Sequence, residues 1–339
     1  MRSFEKEGSW SLSFSGAGFQ GLYYVGVTQC LRQRAPRLLQ GAGRFYGSSS
    51  GALGALSVVG GKSAYFCSSL LGMIKHVEQL SLGVFHPAFA PIEYIRQELQ
   101  DNLPADIHIL ASQRLGISIT HWPDGQNCIV TDFATRDEVI QAVICSLYVP
   151  FYCGTIPPMF RGERYIDGGF SNNLPFADSP SVITVSPFHG TVDICPQSTS
   201  ASMHELNIFN VSFQICTQNF YLGLSSLIPL SPEDSLRSQC CGLWCLRSPR
   251  PQLTGTRMLA TTESCLSTAQ CPTCLSKMCP TLSSSPQSWR LVLPLPSCAC
   301  LPTSTEGGVY EGPQPLGLPL PVRARAGAHL PTAALHAAL

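Results

Sequence analysis

Charge is scarce in this chain. Asp, Glu, Lys and Arg make up only 12% of its 339 residues, against about 25% in an average soluble domain. The 21 basic and 21 acidic residues cancel. An electrostatic nucleic-acid partner is therefore not expected, because phosphate contacts need a basic surface. No apolar run approaches the roughly 20 residues of a membrane-spanning helix. The start, Met1–Gly8, is polar and lacks the apolar stretch of a secretory signal. The expectation is a cytosolic protein whose cysteines stay reduced. Low charge fits a protein working at an apolar surface, and equally a poorly solubilised tail. Acidic residues are missing altogether between Gly16 and Glu78, which matters below.

What is present divides into two grammars. Residues 1–8 form a polar lead. Residues 9–230 alternate periodic apolar segments with Gly and Pro punctuation. Strands are predicted over residues 10–14, 44–46, 115–120, 128–132, 164–166 and 182–186. Helices are predicted over 22–33, 50–59, 64–80, 91–103 and 137–146. Such alternation implies an α/β fold with a largely parallel central sheet. Residues 231–339 are rich in Pro, Ser, Thr and Cys, without helical or strand periods. From Cys240 on, Glu263, Glu306 and Glu311 are the only acids. We read this tail as poorly ordered, and as the product of an alternative exon or a shifted reading frame; tail peptides in tissue digests test that origin. Cys271-Pro-Thr-Cys274 has a zinc-knuckle spacing, but no second Cys-x-x-Cys or His pair follows at the usual distance, so no metal is expected.

Two glycine motifs carry chemistry. Gly16-Ala17-Gly18-Phe19-Gln20-Gly21 joins a predicted strand to a predicted helix. As Gly-x-Gly-x-x-Gly it reads either as a dinucleotide fingerprint or as an anion hole. A dinucleotide site needs an acid about 20 residues on, and the acid-free stretch supplies none; an Arg44-assisted variant stays open. As an anion hole, the loop would offer backbone N–H groups to a developing alkoxide. Gly47-Ser48-Ser49-Ser50-Gly51 is a Gly-x-Ser-x-Gly, the pattern of a nucleophile elbow centred on Ser49. After it come Gly51, Ala52, Gly54 and Ala55, a small-residue face on which a helix can press close to a sheet.

A serine nucleophile needs a base. An ordinary α/β-hydrolase supplies an acid and then a histidine, here His189 or His204, but places several strands before its elbow. Only two strands and one helix fit before Ser49. The better partner is Asp167, at a predicted strand end, where Gly168 and Gly169 force an immediate turn onto the same rim as Ser49. Asn172 and Asn173 are expected to steady that turn. His121 and Trp122 are read as a surface turn in preference to a channel lining.

In this order and at these separations, Gly16–Gly21, Gly47–Gly51 and Asp167-Gly168 resemble the patatin-like phospholipase family. Finer strings, such as Phe151-Tyr-Cys-Gly154 and Asp193-Ile-Cys-Pro-Gln197, resemble its animal lipid-droplet branch. The likeness covers about residues 8–230. It implies a patatin-like three-layer fold, Ser49 as nucleophile, Asp167 as base without histidine, and an oxyanion hole at Gly16, Ala17 and Gly18. It implies no cofactor. The implied substrate is an acylglycerol or related glycerolipid ester at a lipid surface, cleaved through an acyl-serine, with a cytoplasmic enzyme bound peripherally to droplets or membranes. The alternative is a catalytically weak domain binding lipid or a lipase co-activator protein.

The chain departs from the family in two places. Many members carry Arg or Lys before the last glycine of the oxyanion loop; Gln20 stands here, which favours an uncharged ester. The animal branch also continues past residue 230 with helical, apolar sequence. Upstream of that break, Phe209, Phe213, Phe220, Leu224 and Leu227 are spaced as on one helix, and core packing is the favoured reading over a lipid-facing surface.

Overall fold

β1 (Ser11–Phe14) enters the centre of a sheet and sets its character: Leu12, Ser13 and Phe14 are all buried. Successive strand residues face opposite sides. Consecutive burial therefore means that both faces of the sheet are covered, and β2 (Arg44–Ser48), β3 (Leu115–His121) and β7 (Val182–Val185) repeat the pattern. The computed structural model of the protein describes residues 7–197, 204–229 and 258–261. All of these lie in one compact unit, Met1–Gln287.

Between β1 and β2 come a 3₁₀ turn (Gly18–Gly21), α1 (Leu22–Arg34) and α2 (Pro36–Gln40). Then follow α3 (Ser50–Val59), α4 (Ser63–Gln79), α5 (Pro91–Asn102) and α6 (Ile107–Ala111) before β3. The chain continues through β4 (Asn127–Val130), α7 (Arg136–Leu147), β5 (Met159–Phe160), β6 (Glu163–Asp167), a 3₁₀ turn (Gly168–Phe170), β7 and β8 (Ile194–Gln197). A hairpin, β9 (Glu205–Ile208) and β10 (Val211–Gln214), precedes α8 (Thr217–Leu227). β11 (Met258–Thr261) lies within the stretch read from sequence as tail and pairs parallel to β8. The other tail residues, including Cys271 and Cys274, lie outside the described residues.

The sheet order is β11-β8-β7-β1-β2-β3-β6-β5. Strands from β11 to β3 are parallel; β6 is antiparallel to β3, and β5 to β6. This is the mixed α/β fold with a largely parallel sheet that the alternation predicts. All six predicted strands and all five predicted helices are present, each with ends within two residues of the expected ones.

One register detail builds the site. β2 pairs with the first half of β3, ending at Ser48 opposite Ser118. β4 takes the other edge of β3, over Ile117–Thr120. β6 pairs with Ile119–His121, so it must lie on the edge β2 has just left. Asp167 stands opposite Ile119, one residue beyond the Ser48–Ser118 pair. β6 thus fills the place that β2 vacates when it turns at Ser49.

The apolar spacing over residues 208–230 is not one helix. Residues 205–214 form the antiparallel hairpin, and the helix begins only at Thr217. The core-packing reading is also overturned. Phe209, Leu224 and Leu227 are exposed, and Phe220 is 80% exposed; of the five, only Phe213 packs against the core.

Candidate active site

Ser49 sits between the last residue of β2 and the first of α3 with φ 54° and ψ −129°. A positive φ on a non-glycine residue is strained, by roughly 1–3 kcal/mol, and persists only where its surroundings enforce it. The surroundings are visible. A Cβ on Gly47 would fall 2.3 Å from the Gly51 backbone, and a Cβ on Gly51 2.3 Å from the Phe14 carbonyl oxygen. The Ser49 N–H donates to Ser146 Oγ (2.8 Å), and that hydroxyl donates to the Ser118 carbonyl (2.7 Å). α7 therefore braces the elbow against β3 through one side chain.

Asp167 ends β6 and is 4% exposed. Its N–H donates to the Tyr148 carbonyl (2.8 Å). Its Oδ1 accepts the Gly169 N–H (2.7 Å). Gly168 must be glycine, since a Cβ there would lie 2.1 Å from the Ser118 carbonyl oxygen. Burial raises the Asp167 pKa to about 6, against the opposing hydrogen bonds from the Ser49 hydroxyl and the Gly169 N–H. A carboxyl titrating near 6 is a stronger base than an ordinary one near 4, and it is still ionised at neutral pH.

The glycine loop lies against both groups. A Cβ on Gly16 would sit 3.0 Å from Ser49 Cβ and 2.6 Å from Asn173 Oδ1. Its three N–H groups are not equivalent. Gly16 N–H donates to Asn173 Oδ1 (2.7 Å), and Ala17 N–H to Ser50 Oγ (3.0 Å). Gly18 opens the 3₁₀ turn with φ 52°, so its N–H has no partner within that turn, and neither does the first N–H of α3 at Ser50 within its helix. Behind the loop, the Tyr24 hydroxyl donates to the Ser15 carbonyl, the other end of the peptide group that carries the Gly16 N–H.

These residues line a cavity of about 490 Å³. Gly16, Ser49, Asp167 and Asn173 form its polar floor, while Leu53, Met73, Ile95, Phe188, Phe213 and Leu227 stand among its walls. Its volume falls in the usual range for a small-molecule site, apolar with a few convergent polar groups. Among the described residues no cluster of His, Cys, Asp and Glu could hold a metal. Likewise, no helix among them is long and apolar enough to cross a membrane.

Residues 12–179 match the family described as patatin-like phospholipase. The chain belongs to the patatin-like phospholipase family. It is 70% identical over 234 residues to patatin-like phospholipase domain-containing protein 5 of Homo sapiens, a match covering 69% of this chain and 54% of that protein. It is 42% identical over 239 residues to 1-acylglycerol-3-phosphate O-acyltransferase PNPLA3 of Homo sapiens, covering 70% of this chain and 49% of that one. The chain thus spans about half the length of these curated relatives. A crystal structure of VipD from Legionella pneumophila aligns with TM-score 0.33 at 15% identity, over 57% of this chain and 51% of that one.

Other residues singled out in the sequence fall elsewhere in this patatin-like domain. His189 is buried with its Nδ1 3.0 Å from the Pro196 carbonyl oxygen, and neither His189 nor His204 lines the cavity. His121 pairs with Asp124 (2.7 Å) and Glu163 (3.5 Å) on the surface, as a turn residue would. Arg44 is spent on Gln113, its Nε 3.1 Å from that carbonyl oxygen. Gln20 is buried and donates to Ser225 Oγ of α8 (2.8 Å), so it ties the loop to a helix and does not line the cavity. Asn172 steadies the Asp167 turn through its N–H to the Gly168 carbonyl (2.8 Å), whereas Asn173 bridges to Gly16.

Ser146 carries no sequence signal, being one polar residue inside a helix. Ser146→Ala leaves the Ser49 N–H and the Ser118 carbonyl without that partner. The expected loss of stability is about 1–3 kcal/mol, read from urea midpoints. A displaced elbow is expected to lower kcat by about ten- to a hundred-fold, with KM little changed.

Proposed function

We propose that this domain is a serine lipid hydrolase that cleaves uncharged glycerolipid esters, with triacylglycerol as the reference substrate. The observation that carries the reading is the pairing of a strained, half-buried Ser49 with a carboxyl of raised pKa on the floor of an apolar cavity. Asp167 takes the Ser49 proton as Oγ attacks the ester carbonyl carbon. The ester C–O bond then breaks and Asp167 returns the proton to the departing alcohol. Water attacks the acyl-serine next, giving a proton to Asp167; the acyl–Oγ bond then breaks, Asp167 returns that proton to Ser49 Oγ, and the fatty acid leaves. The developing oxyanion is received at the Gly16–Gly18 loop and the start of α3. It displaces Asn173 from Gly16, since a charge-assisted hydrogen bond is roughly twice as strong as a neutral one.

The test is covalent. A fluorophosphonate is expected to label Ser49, located by peptide mapping, and turnover of triacylglycerol emulsions is expected to be lost in Ser49→Ala. No labelling and no turnover, with lipid still bound, would favour the second reading, a lipid-binding regulator acting alone or with a lipase co-activator protein. One observation supports that alternative: two of the loop N–H groups are already bonded to side chains.

The cavity mouth suggests where substrate arrives. Phe209, Phe170, Ile208 and Leu227 line the cavity and are also exposed. Beside them, Phe220, Tyr221 and Leu224 of α8 face outward. We read this rim as the face that meets a droplet or membrane. In Phe220→Glu/Leu224→Glu, flotation with triolein emulsions is expected to fall at least about ten-fold, because the apolar burial of two large side chains is lost. Turnover of a dissolved short-chain ester is expected to be unchanged, as neither residue lines the cavity. Equal flotation would sink the surface reading.

A further inference from the structure

A second chamber lies behind the catalytic cavity. α3 leads away from Ser49, rising about 1.5 Å per residue. Leu53 in its first turn borders the catalytic cavity; Leu56 and Ser57 farther along border a smaller chamber of about 30 Å³. α5 shows the same progression, from Ile92 at the cavity to Leu99 at the chamber. α4 flanks the same lane, running from Met73 at the cavity to Ser69 and Phe66 at the chamber. The lane therefore runs between three helices, and Ser57 lies seven residues, or about 10 Å, beyond the start of α3.

Leu53, Leu70, Met73 and Ile95 line both spaces, so they form the partition. All four are buried and apolar. Met73 is the movable member: an unbranched thioether with three rotatable bonds shifts aside at little cost. At the far end, the Tyr65 hydroxyl lies 2.6 Å from the Glu98 carbonyl and 2.5 Å from its carboxylate. Ser57 Oγ donates to the Gly54 carbonyl (2.7 Å). These polar groups bind one another or their own helix; Lys62 and Ser69 also border the chamber, and the rest of its lining is apolar.

We infer that the chamber takes the distal methylenes of a long acyl chain anchored at Ser49, and that the Leu70–Met73 partition sets acyl-length selectivity. The inference rests on the acyl-ester reading of the cavity above. A linear, unbranched chain suits the two spaces, because they follow one another along α3 and are separated by only four shared side chains. A short chain ends before the partition and gains nothing from the chamber.

Ser69 lines the chamber and not the cavity, so Ser69→Leu fills the chamber without touching the floor. Two measurements on the full chain test the inference: binding of octanoate and palmitate, by displacement of a fluorescent fatty acid, and turnover of butyrate, octanoate and palmitate esters. In Ser69→Leu, palmitate binding and palmitate-ester turnover are expected to fall at least about ten-fold, since each methylene left in water is worth about four-fold. Butyrate turnover is expected to stay within about two-fold of the parent, and octanoate binding to fall less than palmitate binding. Met73→Ala, which widens the partition, is expected to raise the palmitate-to-octanoate ratio. Equal losses for short and long chains, or no loss for palmitate, would overturn the chamber's role. Length-selective binding without any turnover would support the chamber and sink the hydrolase reading, so the two failures are distinguishable.

Discussion

Asp167→Asn is expected to extinguish ester turnover and, at neutral pH, to make the protein harder to unfold. Asparagine keeps the shape and can still accept the Gly169 N–H, but it cannot take the Ser49 proton. General-base assistance contributes about 10²–10⁴-fold, and kcat is expected to fall by at least the middle of that range. The stability change has the opposite sign. Burial raises the Asp167 pKa to about 6, above an unfolded value of about 3.9. Below about pH 4 the carboxyl is protonated in both states and the fold bears no penalty. Between about 4 and 6 the unfolded chain ionises while the native state resists, so stability declines as pH rises. Above about 6 the full burden is present, about 3 kcal/mol for two units. The asparagine variant lacks it. Its urea midpoint is expected to exceed the parent's at neutral pH and to converge with it near pH 4. The parent's kcat/KM is expected to rise with pH through about 6, as Asp167 ionises. A variant that keeps its activity, or that is less stable at neutral pH, would remove Asp167 from the proposed role.

Which parts of the site are legible in the sequence depends on whether the signal is local in the chain. Gly47, Gly51 and Gly168 are local signals: each stands where a side chain would strike backbone, so the turn is written into the residue type. Ser50–Val59 is bounded in the sequence as in the structure, because its small residues and its preceding turn are adjacent in the chain. Asp167 was legible because Asp-Gly-Gly ends a short strand-like segment. Ser146 was not, since its partners, Ser49 at the elbow and Ser118 in β3, lie 97 and 28 residues away in the chain. The Asn173–Gly16 bond was missed for the same reason, spanning 157 residues.

The hairpin over residues 205–214 failed for a different reason. Ile208 pairs directly with Val211, so Phe209 and Asn210 make a two-residue turn, with φ of 49° and 70°. Such turns normally announce themselves as Asn-Gly or Asp-Gly. Here a phenylalanine holds the first position, and the apolar spacing of Phe209, Phe213 and Phe220 imitates a helix. The cause is functional in the proposed reading: Phe209 lines the cavity, and the carbonyl of this strained residue accepts the Asn173 N–H (2.8 Å). Phe209 thus holds a left-handed turn position while shaping the cavity mouth.

Gly51→Ala is expected to destabilise the protein strongly. Its Cβ would fall 2.3 Å from the Phe14 carbonyl oxygen and 2.5 Å from that of Ser15. Both are backbone atoms at the end of β1, in the middle of the sheet, so no side chain can move aside. α3 would have to lift from β1. Overpacking typically costs about 1–3 kcal/mol, and more where backbone must shift, against a total stability of about 5–15 kcal/mol. The expected loss is therefore at least about 3 kcal/mol, read as a lower urea midpoint or as failure to accumulate soluble protein. Gly223→Ala is the control. It lies in α8 with nothing within 4 Å of a new Cβ, and it is expected to gain up to about 1 kcal/mol of helix propensity. A Gly51→Ala protein with the parent's midpoint would show that α3 can lift freely. That would also undercut the site, because the two glycines of the elbow serve different neighbours. Gly47 makes room for the first turn of its own helix, whereas Gly51 lets that helix rest on the carbonyls from which the Gly16–Gly18 loop departs. The same contact that fixes the fold sets the distance between Ser49 and the groups proposed to receive the oxyanion. A variant that loosens it should lose kcat before it loses structure.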